Sequence, residues 1–194
     1  MNFQQEKNLE LLGYRINQLY SNNMVETSKN RKDLTRLFVG VGVEIGVERA
    51  MFSQYIVQTA TKLYCVDAWR AHIGFADHIT QSNLDTFYEE AKERMKPFNC
   101  EIIRKLSMDA VKDFKDESLD FVYIDAHHQY ENAKDDIREW SKKVKKGGIV
   151  SGHDYIDKKA QGYIFGVIKA VNELNVDLTI WKGDRSPSWS YIKK

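Results

Sequence analysis

Leu37-Phe38-Val39-Gly40-Val41-Gly42-Val43-Glu44-Ile45-Gly46-Val47-Glu48-Arg49-Ala50-Met51-Phe52-Ser53 is the stretch that decides the fold. From Leu37 to Ile45 it is apolar or small, with one acid, as suits a strand buried on both faces of a parallel sheet. Met51, Phe52, Tyr55 and Ile56 then recur at helical spacing. A buried strand, a glycine turn and a helix in that order open an α/β unit.

The same alternation continues in both directions. Leu9, Leu12, Ile16 and Leu19 predict an amphipathic N-terminal helix. Leu63 to Val66 reads as a second strand ending at Asp67, and a polar, aromatic loop from Ala68 to Gln81 follows. Leu84, Phe87, Tyr88, Ala91 and Met95 mark a helix, with Ser82 and Asp85 as its expected capping box. Cys100 to Arg104 and Leu119 to Ile124 read as the third and fourth strands, the latter ending at Asp125.

Ala133, Ile137, Trp140 and Val144 mark the next helix, acidic at its start and lysine-rich at its end, which complements the helix dipole. Gly147-Gly148 is expected to stop it, and Ile149 to Gly152 forms a fifth strand ending at His153-Asp154. Ile164, Val167, Ile168, Val171 and Leu174 predict a last helix. Val176 to Trp181 and Ser188 to Ile192 predict an antiparallel hairpin across Gly183-Asp184. The expected fold is α/β: a Rossmann-like, doubly wound, seven-stranded, mostly parallel sheet ending in an antiparallel hairpin. Its ligands would lie at the carboxyl ends of the strands. Residues 1–36 read as an N-terminal helical extension and 37–194 as the single domain.

Length and composition narrow the function. The chain has 194 residues, with 29 Lys plus Arg against 28 Asp plus Glu. A chain of this length favours one domain, burying about 70% of its unfolded surface. The near-zero charge argues against a dedicated nucleic-acid binder, which needs a basic excess. Aromatic residues make up 12% of the chain, which argues against disorder. Pro97 and Pro187 are its prolines, so long regular elements are expected. Cys65 and Cys100 are too few for a disulfide framework and read as buried thiols. No signal pattern opens the chain and no run of about 18 apolar residues occurs, so a cytoplasmic protein without a membrane span is expected.

The glycine segment selects among cofactors. Gly40-Val41-Gly42 is a fragment of the dinucleotide fingerprint, but Ile45 stands where that pattern needs a third glycine, and both glycines fall inside the strand. Glu44 at the strand end would repel a pyrophosphate. It would favour a ligand with ammonium or sulfonium charge, and S-adenosylmethionine carries both without a phosphate. Asp67 stands 21 residues after Gly46, near the offset of a ribose-binding acid, which suits any adenosine-containing ligand.

Glu44-Ile45-Gly46-Val47, continuing to Ala50 and Ser53, resembles the first motif of class I S-adenosylmethionine-dependent methyltransferases, with Ala50 in place of the usual last glycine. Val66-Asp67-Ala68-Trp69 resembles their second motif. The segments from Leu119 to Tyr130 and from Lys146 to Tyr155 resemble one subgroup, methyltransferase family 24, similar to macrocin-type and catechol O-methyltransferases. The resemblance implies a cofactor site of Glu44, Gly46, Ser53, Asp67, Ala68, Trp69, Ser107, Met108 and Asp125. Ser107 and Met108 would lie against adenine, although Ser107 could equally cap the helix it opens. His72 and His78, with Trp69 and Phe75, lie in the loop after Asp67 and are lid candidates by that position alone.

Asp125 and His153-Asp154 end neighbouring strands, so they face one crevice. Carboxylates brought together need a cation, a proton or a hydrogen-bond donor. Hard oxygen ligands would select Mg²⁺, Mn²⁺ or Ca²⁺, whereas His153 would add a nitrogen. The resemblance implies a divalent ion, Mg²⁺ or Mn²⁺, at Asp125, His153 and Asp154, with the His153 position commonly acidic in relatives. Imidazole titrates where a hydroxyl proton can be removed at neutral pH, and the resemblance makes His128 that base, with Asp125 beside it in the catalytic pair. The expectation is methyl transfer from S-adenosylmethionine to the oxygen of a small acceptor, without nucleic acid or membrane partners. A homodimer is left open. The rivals are a non-catalytic S-adenosylmethionine-binding protein and a nucleotide-dependent oxidoreductase.

Overall fold

The computed structural model describes residues 27–71, 79–157, 159–160 and 163–194. The N-terminal helix expected over Leu9 to Leu19 lies outside these residues, as do the lid residues His72, Phe75 and His78.

The described chain opens with α1 (Arg31–Leu34) and a 3-10 turn (Thr35–Leu37). There follow β1 (Gly40–Ile45), α2 (Ser53–Ile56), β2 (Ala60–Asp67), α3 (Gln81–Met95), β3 (Cys100–Arg104) and α4 (Ser107–Ala110). After a second 3-10 turn come β4 (Leu119–Ile124), α5 (Tyr130–Lys143), β5 (Val144–Gly152), β6 (Lys159–Ala160) and β7 (Tyr163–Ile164). The chain closes with α6 (Val167–Asn172), β8 (Thr179–Trp181) and β9 (Ser188–Ile192).

Seven strands form one sheet in the order β3-β2-β1-β4-β5-β9-β8. The first five are mutually parallel, and β9 runs antiparallel to both β5 and β8. This is the expected doubly wound α/β sheet with its C-terminal antiparallel pair. The strand order reverses between β1 and β4, where a ligand crevice opens in such sheets.

Register puts alternate residues on opposite faces. Gly42 pairs with Phe121 and Glu44 with Tyr123, so their side chains share one face with Phe38, Phe52, Trp69 and Phe87. Val43 and Ile45 pair with Val122 and Ile124, on the face covered by Ile137, Trp140 and Val171. Gly42 is small because of packing: a Cβ there would stand 2.2 Å from the Phe121 ring. Phe38 stacks on that ring with centroids 4.7 Å apart.

Several boundaries differ from the expected ones. Leu37 to Val39 precede β1, because Leu37 and Phe38 turn their side chains into the core from a 3-10 turn. The helix after β1 shrinks to Ser53–Ile56, with Met51 and Tyr55 exposed. α3 is capped by Thr80, which accepts the Asn83 N–H while Asn83 accepts the Thr80 N–H. The expected partner Asp85 instead pairs with Arg104. Val144 to Gly148 belong to β5, not to the preceding helix. Val144 pairs with Leu119, and the Gly147 N–H donates to the Lys193 carbonyl at 2.8 Å. Ile164 lies in β7, so the last helix starts at Val167.

Candidate active site

The carboxyl ends of β1, β2 and β4 enclose a cavity of about 870 Å³. Gly46 sits at its floor, where φ is +84° and a Cβ would stand 2.0 Å from the Asp125 carbonyl oxygen. Glycine is therefore required twice over, by the left-handed backbone and by the close approach of β4. The Gly46 N–H donates to the Val66 carbonyl and the Asp125 N–H to the Ile45 carbonyl, which ties the three strand ends together. The turn that follows holds Glu48 and Ala50 at φ 50° and 57°. Ala50, where the family pattern has glycine, thus occupies a conformation that glycine adopts freely.

Asp67 organises this turn. One carboxylate oxygen accepts the Val47 and Glu48 N–H groups, both at 2.9 Å, and the other accepts the Trp69 N–H at 2.9 Å. A carboxylate has about four acceptor positions, so the residue can clamp the turn and still face a ligand hydroxyl. Trp69 is fully buried, and its indole N–H donates to the Glu48 carbonyl at 2.7 Å. Ala68 lines the cavity beside it.

Glu44 reaches the cavity from β1 and is only 2% exposed. Its carboxyl group accepts the Ser53 hydroxyl in a short hydrogen bond. Burial pushes its pKa up to about 8, against the opposing effect of that bond. Glu44 is thus largely a neutral acid at pH 7, and a cationic ligand would draw out its charge. Ser53 is fully buried and acts on the cavity through Glu44.

Ser107 and Met108 line the opposite wall. Ser107 does not cap α4. Its hydroxyl donates to Asp136 and accepts the Trp140 indole N–H at 2.8 Å. Asp136 is buried in the same wall, and burial raises its pKa to about 6.

Beyond β4, Asp125, His128 and Asp154 each bring one donor atom into a group whose members lie within 4.8 Å of one another. Nε2 of His128 is 2.7 Å from Oδ2 of Asp154 and 3.6 Å from Oδ1 of Asp125. It is buried, yet neither carboxylate lies in line for a hydrogen bond. His153 stands alongside, its Nδ1 3.6 Å from both carboxylates. Asp154 holds φ at +52°, a left-handed conformation that aspartate tolerates better than most residues. Phe165 stacks on His128 with centroids 4.6 Å apart. Burial alone would lower both imidazoles, but the two carboxylates outweigh it and raise each to about 9. The carboxylates are held low in return, Asp125 at about 2.

Buried Nε2 without a linear partner, facing two carboxylates, is a donor set that fits a divalent cation. Both imidazoles stand 3.6 Å from Asp125, but the nitrogen nearer to Asp154 is that of His128, whereas the sequence points to His153.

A sequence profile of the methyltransferase domain, family 24, matches residues 39–155. The chain belongs to this methyltransferase family. An uncharacterized protein of Sinorhizobium fredii (strain NBRC 101917 / NGR234), y4gI, is 27% identical over 129 residues, covering 61% of this chain and 13% of that one. The chain therefore spans about an eighth of that relative's length. An O-methyltransferase from Bacillus cereus in complex with S-adenosylhomocysteine superposes with a TM-score of 0.58 at 14% identity, covering all of this chain and 92% of that one. An rRNA methylase from Streptococcus thermophilus superposes with a TM-score of 0.58 at 11% identity, over 84% and 93%. At such identities the likeness is one of fold, and acceptors differ among these methyltransferases.

Among the cavity residues of this methyltransferase-domain chain that escape sequence reasoning are Asp136 and Arg31. Asp136 reads as one of several acids starting α5, and Arg31 precedes every motif. Both line the cavity. The signal that could have exposed Asp136 is its helical spacing with Ala133, Ile137 and Trp140, which puts it on the buried face.

Proposed function

We propose that this chain transfers the methyl group of S-adenosylmethionine to the hydroxyl oxygen of a small acceptor. One observation carries the reading: a single cavity joins a wall suited to adenosine, from Asp67 to Ser107, with Asp125 and His128 at its other end, where Asp154 stands behind them and outside the cavity lining. Adenosine would bind across β2 and β3, with the sulfonium above Gly46 facing the acids Glu44 and Asp125. Attack by the acceptor oxygen forms the O–CH₃ bond as the C–S bond breaks, and S-adenosylhomocysteine leaves. Holding the reactants in line is worth effective molarities up to about 10⁵–10⁸ M.

His128 takes the hydroxyl proton in this scheme. Its carboxylate neighbours hold the imidazole protonated, so it becomes a base only when their charge is compensated. That compensation, together with acceptor orientation, is what a divalent ion on the Asp125 and Asp154 carboxylates would supply.

Calorimetry with S-adenosylmethionine and S-adenosylhomocysteine, followed by methyl transfer to a panel of small hydroxylated acceptors, tests the reading. Micromolar cofactor binding is expected, and turnover should rise with Mg²⁺ or Mn²⁺ and vanish with chelator. Folded protein that binds neither compound overturns the assignment. If His128→Ala abolishes Mn²⁺ binding, the histidine is a ligand and not the base.

A further inference from the structure

Arg31 lies ahead of the matched residues 39–155, and no step of the proposed transfer uses it. Its backbone is nonetheless fixed with care. Asn30 accepts the Lys32 and Asp33 N–H groups, and Asp33 accepts the Asn30 N–H at 3.1 Å. The Arg31 N–H donates to Asp184 at 2.7 Å, and the Gly183 N–H donates to the Lys29 carbonyl at 2.9 Å. The segment from Thr27 is thereby pinned to the turn between β8 and β9. From this mount the Arg31 side chain, 34% exposed, enters the cavity wall.

The guanidinium stands 4.8 Å above the Phe52 ring, beside the Tyr123 hydroxyl, and 3.6 Å from Oδ2 of Asp125. That last distance is an ion pair longer than a hydrogen bond, so the five-donor fork keeps capacity for a planar anion. The ligand chemistry follows from the sheet order. With adenosine over β2 and β3, the methionyl end of the cofactor crosses β1 towards β4. It carries an ammonium and a carboxylate. Glu44 and Asp125 suit the ammonium and the sulfonium but repel the carboxylate. Among the described residues, the other Lys and Arg chains lining the cavity, Arg70 and Lys105, follow β2 and β3, and Lys105 is paired with Asp113 at 2.6 Å; the charged imidazole of His128 is already engaged by Asp154 and Asp125. Arg31 is the guanidinium on the β1–β4 side.

We propose that Arg31 anchors the carboxylate of the cofactor's methionyl end, an inference that rests on the S-adenosylmethionine reading. Three ligands separate the two ideas when titrated into the full chain by calorimetry: S-adenosylhomocysteine, its decarboxylated analogue, and 5′-methylthioadenosine, which lacks the amino-acid end. A charge-assisted pair of this kind is worth about 10- to 100-fold in affinity. Wild-type protein should bind the decarboxylated analogue weaker than S-adenosylhomocysteine by that factor. Arg31→Met should lose the same factor for S-adenosylhomocysteine and less than about twofold for the other two. Arg31→Lys, which keeps the charge but not the fork, should fall between.

Equal wild-type affinity for S-adenosylhomocysteine and its decarboxylated analogue overturns the anchor, whether or not Arg31→Met folds. So does an Arg31→Met variant that binds all three ligands normally, as an acceptor-side role would give, or that loses all three alike. If folded wild-type protein binds none of the three, the S-adenosylmethionine reading falls and the anchor with it.

Discussion

Nε2 of His128 stands 2.7 Å from Oδ2 of Asp154, off the line of a hydrogen bond, under the stacked ring of Phe165. The ring is placed by charge and packing together. Its carboxylate partners lie at the β4 and β5 ends, away from the adenosine wall. His128→Ala should therefore leave S-adenosylmethionine affinity within about threefold while lowering turnover about 10²- to 10⁴-fold. Calorimetry alongside single-turnover methyl transfer separates the two quantities. A loss of affinity as large as the loss of turnover would show that His128 serves binding.

Glu44 makes stability depend on pH in an unusual direction for a carboxylate. Its native pKa is about 8 and its ordinary value 4.5, so the native chain holds a proton that the unfolded chain releases. Stability is fully present below 4.5 and is lost as pH rises through 8. Glu44→Gln removes this dependence, so wild type minus variant should decline by roughly 3–5 kcal/mol across the window in urea melts. S-adenosylmethionine, if its ammonium meets Glu44, should release protons on binding near pH 7. Calorimetry in two buffers of different ionisation enthalpy reads that release, and identical apparent enthalpies would count against contact with Glu44.

Much of this was legible because the site is built from strand ends. β1, β2, β4 and β5 are each apolar runs closed by an acid or a His-Asp pair, and those closures are Glu44, Asp67, Asp125 and His153-Asp154. Where packing across the sheet decides, sequence reasoning fails. Leu37 and Phe38 look like strand residues, yet Phe38 stacks on Phe121 from a 3-10 turn. Lys145 and Lys146 look like a helix end, yet they lie in β5, where Lys145 pairs with Asp120 at 2.7 Å. Arg31 reaches the site through contacts with Asp184, 153 positions away, which no local pattern reveals.

Gly46 offers a test of how the strand ends are joined. A methyl group there meets the Asp125 carbonyl at 2.0 Å, and φ is +84°. Left-handed strain for a non-glycine residue costs about 1–3 kcal/mol, and relief of the clash must move Asp125. Gly46→Ala should lower the melting temperature and also weaken cofactor binding. Gly42→Ala, which meets the Phe121 ring inside the sheet, should destabilise by a similar amount. Thermal melts and calorimetry of both variants decide the matter, and an unimpaired Gly46→Ala protein would refute the close approach.

Asp136 is the last group whose charge the fold opposes. Burial raises it from 3.8 to about 6 while the Ser107 hydroxyl bond works the other way. The native chain again holds the extra proton, so stability falls as pH rises from 3.8 through 6. Asp136→Asn keeps an oxygen for the Ser107 hydroxyl and removes the charge. It should gain about 3 kcal/mol on the wild type above pH 6 and nothing below 3.8. Ser107→Ala strips Asp136 of its donor and the Trp140 indole of its acceptor, costing about 1–3 kcal/mol. Without that donor the Asp136 transition should move to higher pH, which carbon-detected NMR of the carboxyl carbon can follow. A Ser107→Ala variant with an unshifted Asp136 titration would mean that burial alone sets the group.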